Sequence, residues 1–307
     1  MPARAFALTL LLAASLPAAA IDSQLSVNMN VHATSFLAPG AGEQRFTPTL
    51  DLRDDPRLSQ MQRMHEIASY AGGHGIGRFE GHVGLLRAFA SGSFPYCCDL
   101  AGRRVNYGYA GASVQGQFYD SIVVGGAGLA AGTPVSYTVN FSISGHLSRP
   151  SFESGGFLSA WGVAEVRLRD MSSFAEVNKS WDASRDAAAI YSLTLDTFVG
   201  RTIALSGMLA VGASVSDYAM LARYVEADFG HSAGYQLIPS VAGLNTVGAS
   251  GYDFATPVPE PGAGLLMLAG LAALVGRRQL RPCLPRPSSK SGASSAPPTA
   301  NGATARP

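Results

Sequence analysis

Apolar and polar residues alternate through much of the middle of the chain, and Gly, Pro, Asp and Ser interrupt the alternation at short intervals. The cleanest run is 134–147, PVSYTVNFSISGHL, in which Val135, Tyr137, Val139, Phe141 and Ile143 take every second place. A period of two marks a strand with one buried face, because successive side chains of an extended chain point to opposite sides. Residues 112–124 predict a second strand with Val114, Phe118 and Ile122 inward, and 77–90 predict extended structure through Phe79, His82 and Leu85. Further strands are expected over 156–169, 190–198, 202–215, 219–228 and 235–238, separated by Gly-rich or Asp/Ser-containing turns. Many strands at short spacing imply an all-β body, a β-sandwich of jelly-roll type over 76–256. Residues 21–75 read differently. Asp54-Asp55-Pro56 resembles a helix start, and Leu58, Met61, Met64 and Ile67 follow at near-helical spacing, so one short helix is expected there. No internal repeat is evident.

The two ends carry the only long uninterrupted apolar runs. At the start, Arg4 precedes an apolar stretch over 5–16, and Pro17-Ala18-Ala19-Ala20 places small residues where a signal peptidase requires them. Residues 1–20 therefore read as a secretory signal peptide cut after Ala20, with Ala18 and Ala20 at the two small-residue positions. Near the other end, Pro257 to Pro261 reads PVPEP, a segment the prolines hold extended. Residues 262–276, GAGLLMLAGLAALVG, follow without a charge. As a helix they span about 22 Å, short of the roughly 30 Å of a hydrocarbon core, so the helix is a strained membrane span. Arg277 and Arg278 close it, and by the positive-inside rule they lie in the cytoplasm with the body outside the inner membrane. Residues 279–307 are rich in Pro, Ser, Ala and Gly and read as a disordered tail.

Val258-Pro259-Glu260-Pro261, the short Gly/Ala/Leu helix and Arg277-Arg278 together resemble the PEP-CTERM sorting signal of Gram-negative bacteria that make exopolysaccharide. The resemblance covers roughly residues 257–278. It implies that the chain is a substrate: a membrane-embedded exosortase reads the motif, cuts near it, and the body is released or passed to another carrier. Signals of this family normally stop a few residues after the basic cluster, and here the tail 279–307 is a departure. The partners implied are the exosortase, the membrane through residues 262–276 before processing, and exopolysaccharide. The protein would be transiently anchored and then reside at the cell surface or outside the cell.

Composition narrows the body's role by exclusion. With 35 Gly and 14% charged residues, the chain is poor in charge and well supplied with apolar residues, which fits strands and turns and opposes disorder. The formal net charge of +1 is uneven: residues 21–256 hold about 15 Lys and Arg against about 20 Asp and Glu. A mildly acidic body has no footprint for nucleic acid, which needs clustered cations. Three cysteines are too few for a disulfide framework. Cys97 and Cys98 are adjacent, so they are either free thiols, a vicinal disulfide or a link to another chain.

No catalytic constellation is found, and no cofactor is expected. The six histidines, His32, His65, His74, His82, His146 and His231, show no metal-site spacing, and Asp51, Asp54 and Asp55 lack the spacing of a calcium loop. GxSxG and GxxxxGK[ST] are absent. Glu153, Glu165 and Asp170 lie near Trp161, and Trp181 lies near Asp182 and Asp186. Aromatics beside carboxylates suit carbohydrate, so Trp161 and Trp181 are candidate ligand-binding residues. The expectation is a non-enzymatic envelope or matrix protein linked to exopolysaccharide or biofilm. A carbohydrate-binding module is the alternative and a secreted hydrolase ranks last.

Overall fold

The computed structural model describes residues 22–36, 42–70, 72–94, 108–126, 128–148, 158–216 and 223–256. The signal peptide with Ala18 and Ala20, Cys97, Cys98, Glu153, the motif from Val258 to Pro261, the helix, Arg277, Arg278 and the tail lie outside them. The described chain is almost wholly β, in two antiparallel sheets. The first is seven-stranded, and its main path runs β10-β9-β12-β7-β1-β2 with β3 also paired to β1. Its strands are β1 (Ser23–Ser35), β2 (Gly42–Phe46), β3 (Thr49–Arg53), β7 (Gly108–Val123), β9 (Leu158–Asp170), β10 (Glu176–Asp182) and β12 (Thr202–Ser216). The second is six-stranded in the order β11-β8-β13-β6-β5-β4. It contains β4 (Gln62–Tyr70), β5 (Gly73–His82), β6 (Leu85–Phe94), β8 (Pro134–Ser148), β11 (Ala189–Phe198) and β13 (Arg223–Pro239). Among the described residues no helix is long and apolar enough to cross a membrane.

One continuous core lies between the sheets. The five alternating residues of β8 expected inward are all buried, as are Val114, Phe118 and Ile122 of β7. They meet Leu25, Val27 and Val31 of β1 and Leu205, Leu209 and Val211 of β12. Tyr235 stands at the centre, edge-on to Phe118 at 4.9 Å and stacked on Phe141 at 5.2 Å. Its hydroxyl donates to the carbonyls of Glu165 and Met208 at 3.2 and 3.3 Å, which satisfies the one polar atom this ring brings inside. Phe229 packs its edge against Trp181 at 5.5 Å. Glycines make room for that ring: a Cβ on Gly145 or Gly162 would lie 2.3 or 2.5 Å from it. Near β5 the two sheets approach backbone to backbone, and a Cβ on Gly75 would sit 2.3 Å from the Gly111 carbonyl oxygen and 2.7 Å from that of His32.

The segment 22–75 differs from its expected form. The helix start at Asp54-Asp55-Pro56 yields a single 3-10 turn, Pro56–Ser59, capped by the Asp55 carboxylate. Gln62–Tyr70 is then extended as edge strand β4, with Ile67 47% exposed. The apparent helical spacing of Leu58, Met61, Met64 and Ile67 arises where a turn runs into a half-exposed edge. Strands β1 to β4 extend both sheets, so this stretch is integral to the β body, and the boundary drawn at residue 76 falls inside β5. The described part of 219–228, which begins at Arg223, and residues 235–238 belong to one strand, β13, whose register shifts between Phe229 and Ala233 against β6. That bulge breaks the alternation and hides the continuity.

The last described stretch is fastened to the body. Phe254 is fully buried, Leu237 donates its N–H to the Phe254 carbonyl at 2.9 Å, and Leu244 bridges Gly126. Ser250 donates its hydroxyl (2.6 Å) and its N–H (3.1 Å) to the buried carboxylate of Asp120 on β7. Burial pushes the Asp120 carboxyl up to about 6, against the opposing effect of the Ser250 hydrogen bonds. Asp170 at the end of β9 behaves oppositely. Desolvation alone would raise it, but donors from Ser173 N–H, the Thr197 hydroxyl, Arg201 and Ser172 N–H outweigh burial and hold it well below the usual carboxylate range.

Candidate functional site

The outward face of the seven-stranded sheet is built by the pleat of its strands. On β9 the residues Ala160, Ala164, Val166 and Leu168 turn inward, so Trp161, Val163, Glu165 and Arg167 share the opposite face. Trp161 is 40% exposed. It pairs across β12 with Gly212, and a Cβ there would sit 2.4 Å from the indole. The missing side chain lets the ring lie on the sheet as an open aromatic surface.

Register extends this face into polar rows. Glu165 is opposite Met208, then Gln117, then Ser26. Arg167 is opposite Ser206, then Tyr119, then Gln24. These two rows line a hollow of about 290 Å³. A second hollow of about 440 Å³ adjoins it, shares Glu165 and Met208, and reaches Asp182, Arg185 and Asp186. From Trp161 to Glu165 is four residues along a strand, about 13 Å.

Trp181 has the other orientation. It is 2% exposed, packs on Phe229, and donates its indole N–H to the Ala187 carbonyl at 3.0 Å. It is a core residue and not the open ligand-binding surface expected of it, because β10 turns Trp181 to the same side as Val177, which packs on the core.

Among the described residues, the carboxylates beside the tryptophans do not form an acid–base pair. Asp170 is sealed under Thr197 and Arg201. The Ser184 hydroxyl and N–H hold Asp182 below its ordinary value, whereas a glycosidase general acid is raised. Asp186 accepts the Asp182 N–H at 2.9 Å, inside the same turn. Glu165 accepts from Arg167 at 3.1 Å.

The acidic cluster near residue 54 is also occupied by protein donors. Asp54 accepts from the Asp22 and Ser23 amides and the Ser23 hydroxyl. Asp51 binds Arg53 and Gln24, and Asp55 binds Arg57. His74 bonds Ser69, and His82 packs on Tyr252. Sequence spacing missed a different convergence on the outward face of the six-stranded sheet. Ligand-type atoms of His146, Glu226 and Asp228 lie within 4.8 Å of one another. Glu226 and Asp228 are two apart on β13, and His146 of β8 pairs with Asp228; the alternation of β13 was the one available signal. Glu226 is already engaged by His146 at 3.3 Å and by the Tyr224 hydroxyl. Burial first, and then Glu226, push that hydroxyl up to about 12, so it stays a donor.

No family model, curated protein or solved structure matches this chain.

Proposed function

We propose that this chain is an exported, non-catalytic envelope or matrix protein, delivered by its signal peptide and processed by an exosortase at Val258-Pro259-Glu260-Pro261. The observation that carries the reading is the order Pro-Glu-Pro, short apolar helix, Arg277-Arg278, which begins directly after the body. Phe254 and Ser250 fasten the body's last residues, so a cut near the motif leaves every described contact intact. Processing ends a transient anchorage through residues 262–276 and leaves the body at the cell surface or outside the cell, associated with exopolysaccharide.

The body reads as a jelly roll. Strands β6 to β13 fall into the sets β6-β13-β8-β11 and β7-β12-β9-β10, and all but one of their successive connections cross between sheets. That order supports two interlocked Greek keys, with β1 to β5 added at one side. For the sorting motif, the double substitution Pro259→Ala and Glu260→Ala is expected to leave the exported protein at its unprocessed mass. Processing at the wild-type level in that variant would overturn the assignment of the motif.

A carbohydrate-binding module is the second reading, and Trp161 favours it. Its open ring on Gly212, about 13 Å along β9 from the first of the amide- and hydroxyl-rich rows, suits a run of two or three sugar units. A hydrolase has less support, since the neighbouring acids are tied into turns or ion pairs.

A further inference from the structure

The outward face of the six-stranded sheet carries a second groove, unrelated to Trp161. Register sets one row across it: His65, Arg78, Phe89, Asp228 and His146 stand opposite one another on β4, β5, β6, β13 and β8. The adjoining row is Arg63, Glu80 and Arg87. All of these except His146 line a hollow of about 500 Å³.

The charges in this hollow do not balance. Arg87 is only 9% exposed, its Nε is buried without a hydrogen-bond partner, and its ion pair is a loose 3.7 Å contact with Glu80. Glu80 is shared, because its other oxygen accepts two bonds from Arg63 at 2.9 and 3.1 Å. Arg78 lies over the Phe89 ring at 5.2 Å and has no carboxylate partner among the described residues. A guanidinium offers five N–H donors in a flat fork, and leaving buried donors unmet is costly. In a body with an excess of acidic residues, a groove with three arginines and under-neutralised donors is a local reversal.

We propose that this groove binds the carboxylate of a uronic acid unit in an acidic glycan. The carboxylate meets the forks of Arg87 and Arg78. Phe89 supplies apolar surface for the ring carbons. Asp228, whose carboxylate borders the far side, accepts from the sugar hydroxyls. That last group selects against a bare phosphate or sulfate, which carries negative charge and few donors toward Asp228. The proposal rests on the reading that the body meets exopolysaccharide, and adds the class of sugar.

The test is titration of the exported protein with short oligogalacturonides at low salt, alongside the same oligomers with their carboxyls reduced to alcohols, and alongside inorganic phosphate. The expected result is binding of the charged oligomers, weakened at least tenfold by Arg78→Gln, by carboxyl reduction and by added salt. Arg78 is exposed, so its variant keeps the fold; Arg87→Gln is read only if its melting temperature is close to wild type. Equal binding of the reduced oligomers, indifference to Arg78→Gln, phosphate binding alone, or no binding at all would each overturn the proposal. None of those outcomes bears on export and processing, which are read from the C-terminal mass.

Discussion

Asp120 gives the sharpest prediction for stability. Its carboxylate is fully buried on β7, with Ser250 as its hydrogen-bond donor, and burial raises it from 3.8 to about 6. A group raised by folding favours the protonated native state. Its stabilising contribution is therefore complete below about pH 4 and is lost as pH rises through about 6. At roughly 1.4 kcal/mol per pH unit of displacement, the full loss is roughly 3 kcal/mol. His32 and His82 work against this slope in the wild type. Desolvation lowers both below 6.5, so they add stability as pH rises through that region. The variant Asp120→Asn isolates the carboxyl, because Asn keeps an acceptor for the Ser250 N–H and can donate to its Oγ. Urea melts of both proteins across about pH 4 to about pH 8 are expected to show the variant gaining roughly 2–3 kcal/mol on the wild type over that range. A difference that does not change with pH would mean that the hydrogen bonds from Ser250, Ser121 and Ala249 balance burial, one of opposite sign that they outweigh it, and either would contradict a raised Asp120.

Other expectations follow from packing. Phe229→Ala empties the space between Gly145, Gly162 and Trp181, and a loss of about 3–5 kcal/mol in denaturant melts is expected; a loss under about 1 kcal/mol would contradict the packing. Gly75→Ala drives a methyl into two backbone oxygens of the opposite sheet and should cost about 1–3 kcal/mol or more by the same melts. Gly125→Ala, with nothing within 4 Å, is the matched control and should be nearly neutral. Trp161→Ala should leave the melting temperature almost unchanged, since the ring is exposed, while removing glycan binding on that face if the second reading holds.

How much of this was legible depended on whether a strand buries one face cleanly. β8 is flanked on both sides within its sheet, and its five apolar residues announce it at once. β13 was read as two pieces because the bulge beyond Phe229 inserts residues out of phase. β4 imitated a helix because it is an edge strand with little apolar burial of its own. β10 was missed for a similar reason: of its seven residues, Glu176–Asp182, only Trp181 is buried. The two tryptophans look alike in sequence, each beside acids, and the pleat separates them. Trp161 is in phase with Glu165 and Arg167, which was readable as an outward face; Trp181 is in phase with Val177, which pointed inward. The Arg87 groove was not legible, because its members come from β4, β5, β6 and β13 and only strand register unites them.

The central claim, that this body is cargo for a sorting enzyme, is tested most directly by the C-terminal mass of the exported protein. The protein is made in a host of the native type with its exosortase and in one lacking it, and the secreted or surface form is measured intact. The expected result is that the exosortase strain yields a chain ending close to Pro259-Glu260-Pro261, without Arg277, Arg278 or the tail, and that the other strain retains the chain through Pro307. A chain intact through Pro307 in both strains would contradict the claim and leave a tail-anchored protein.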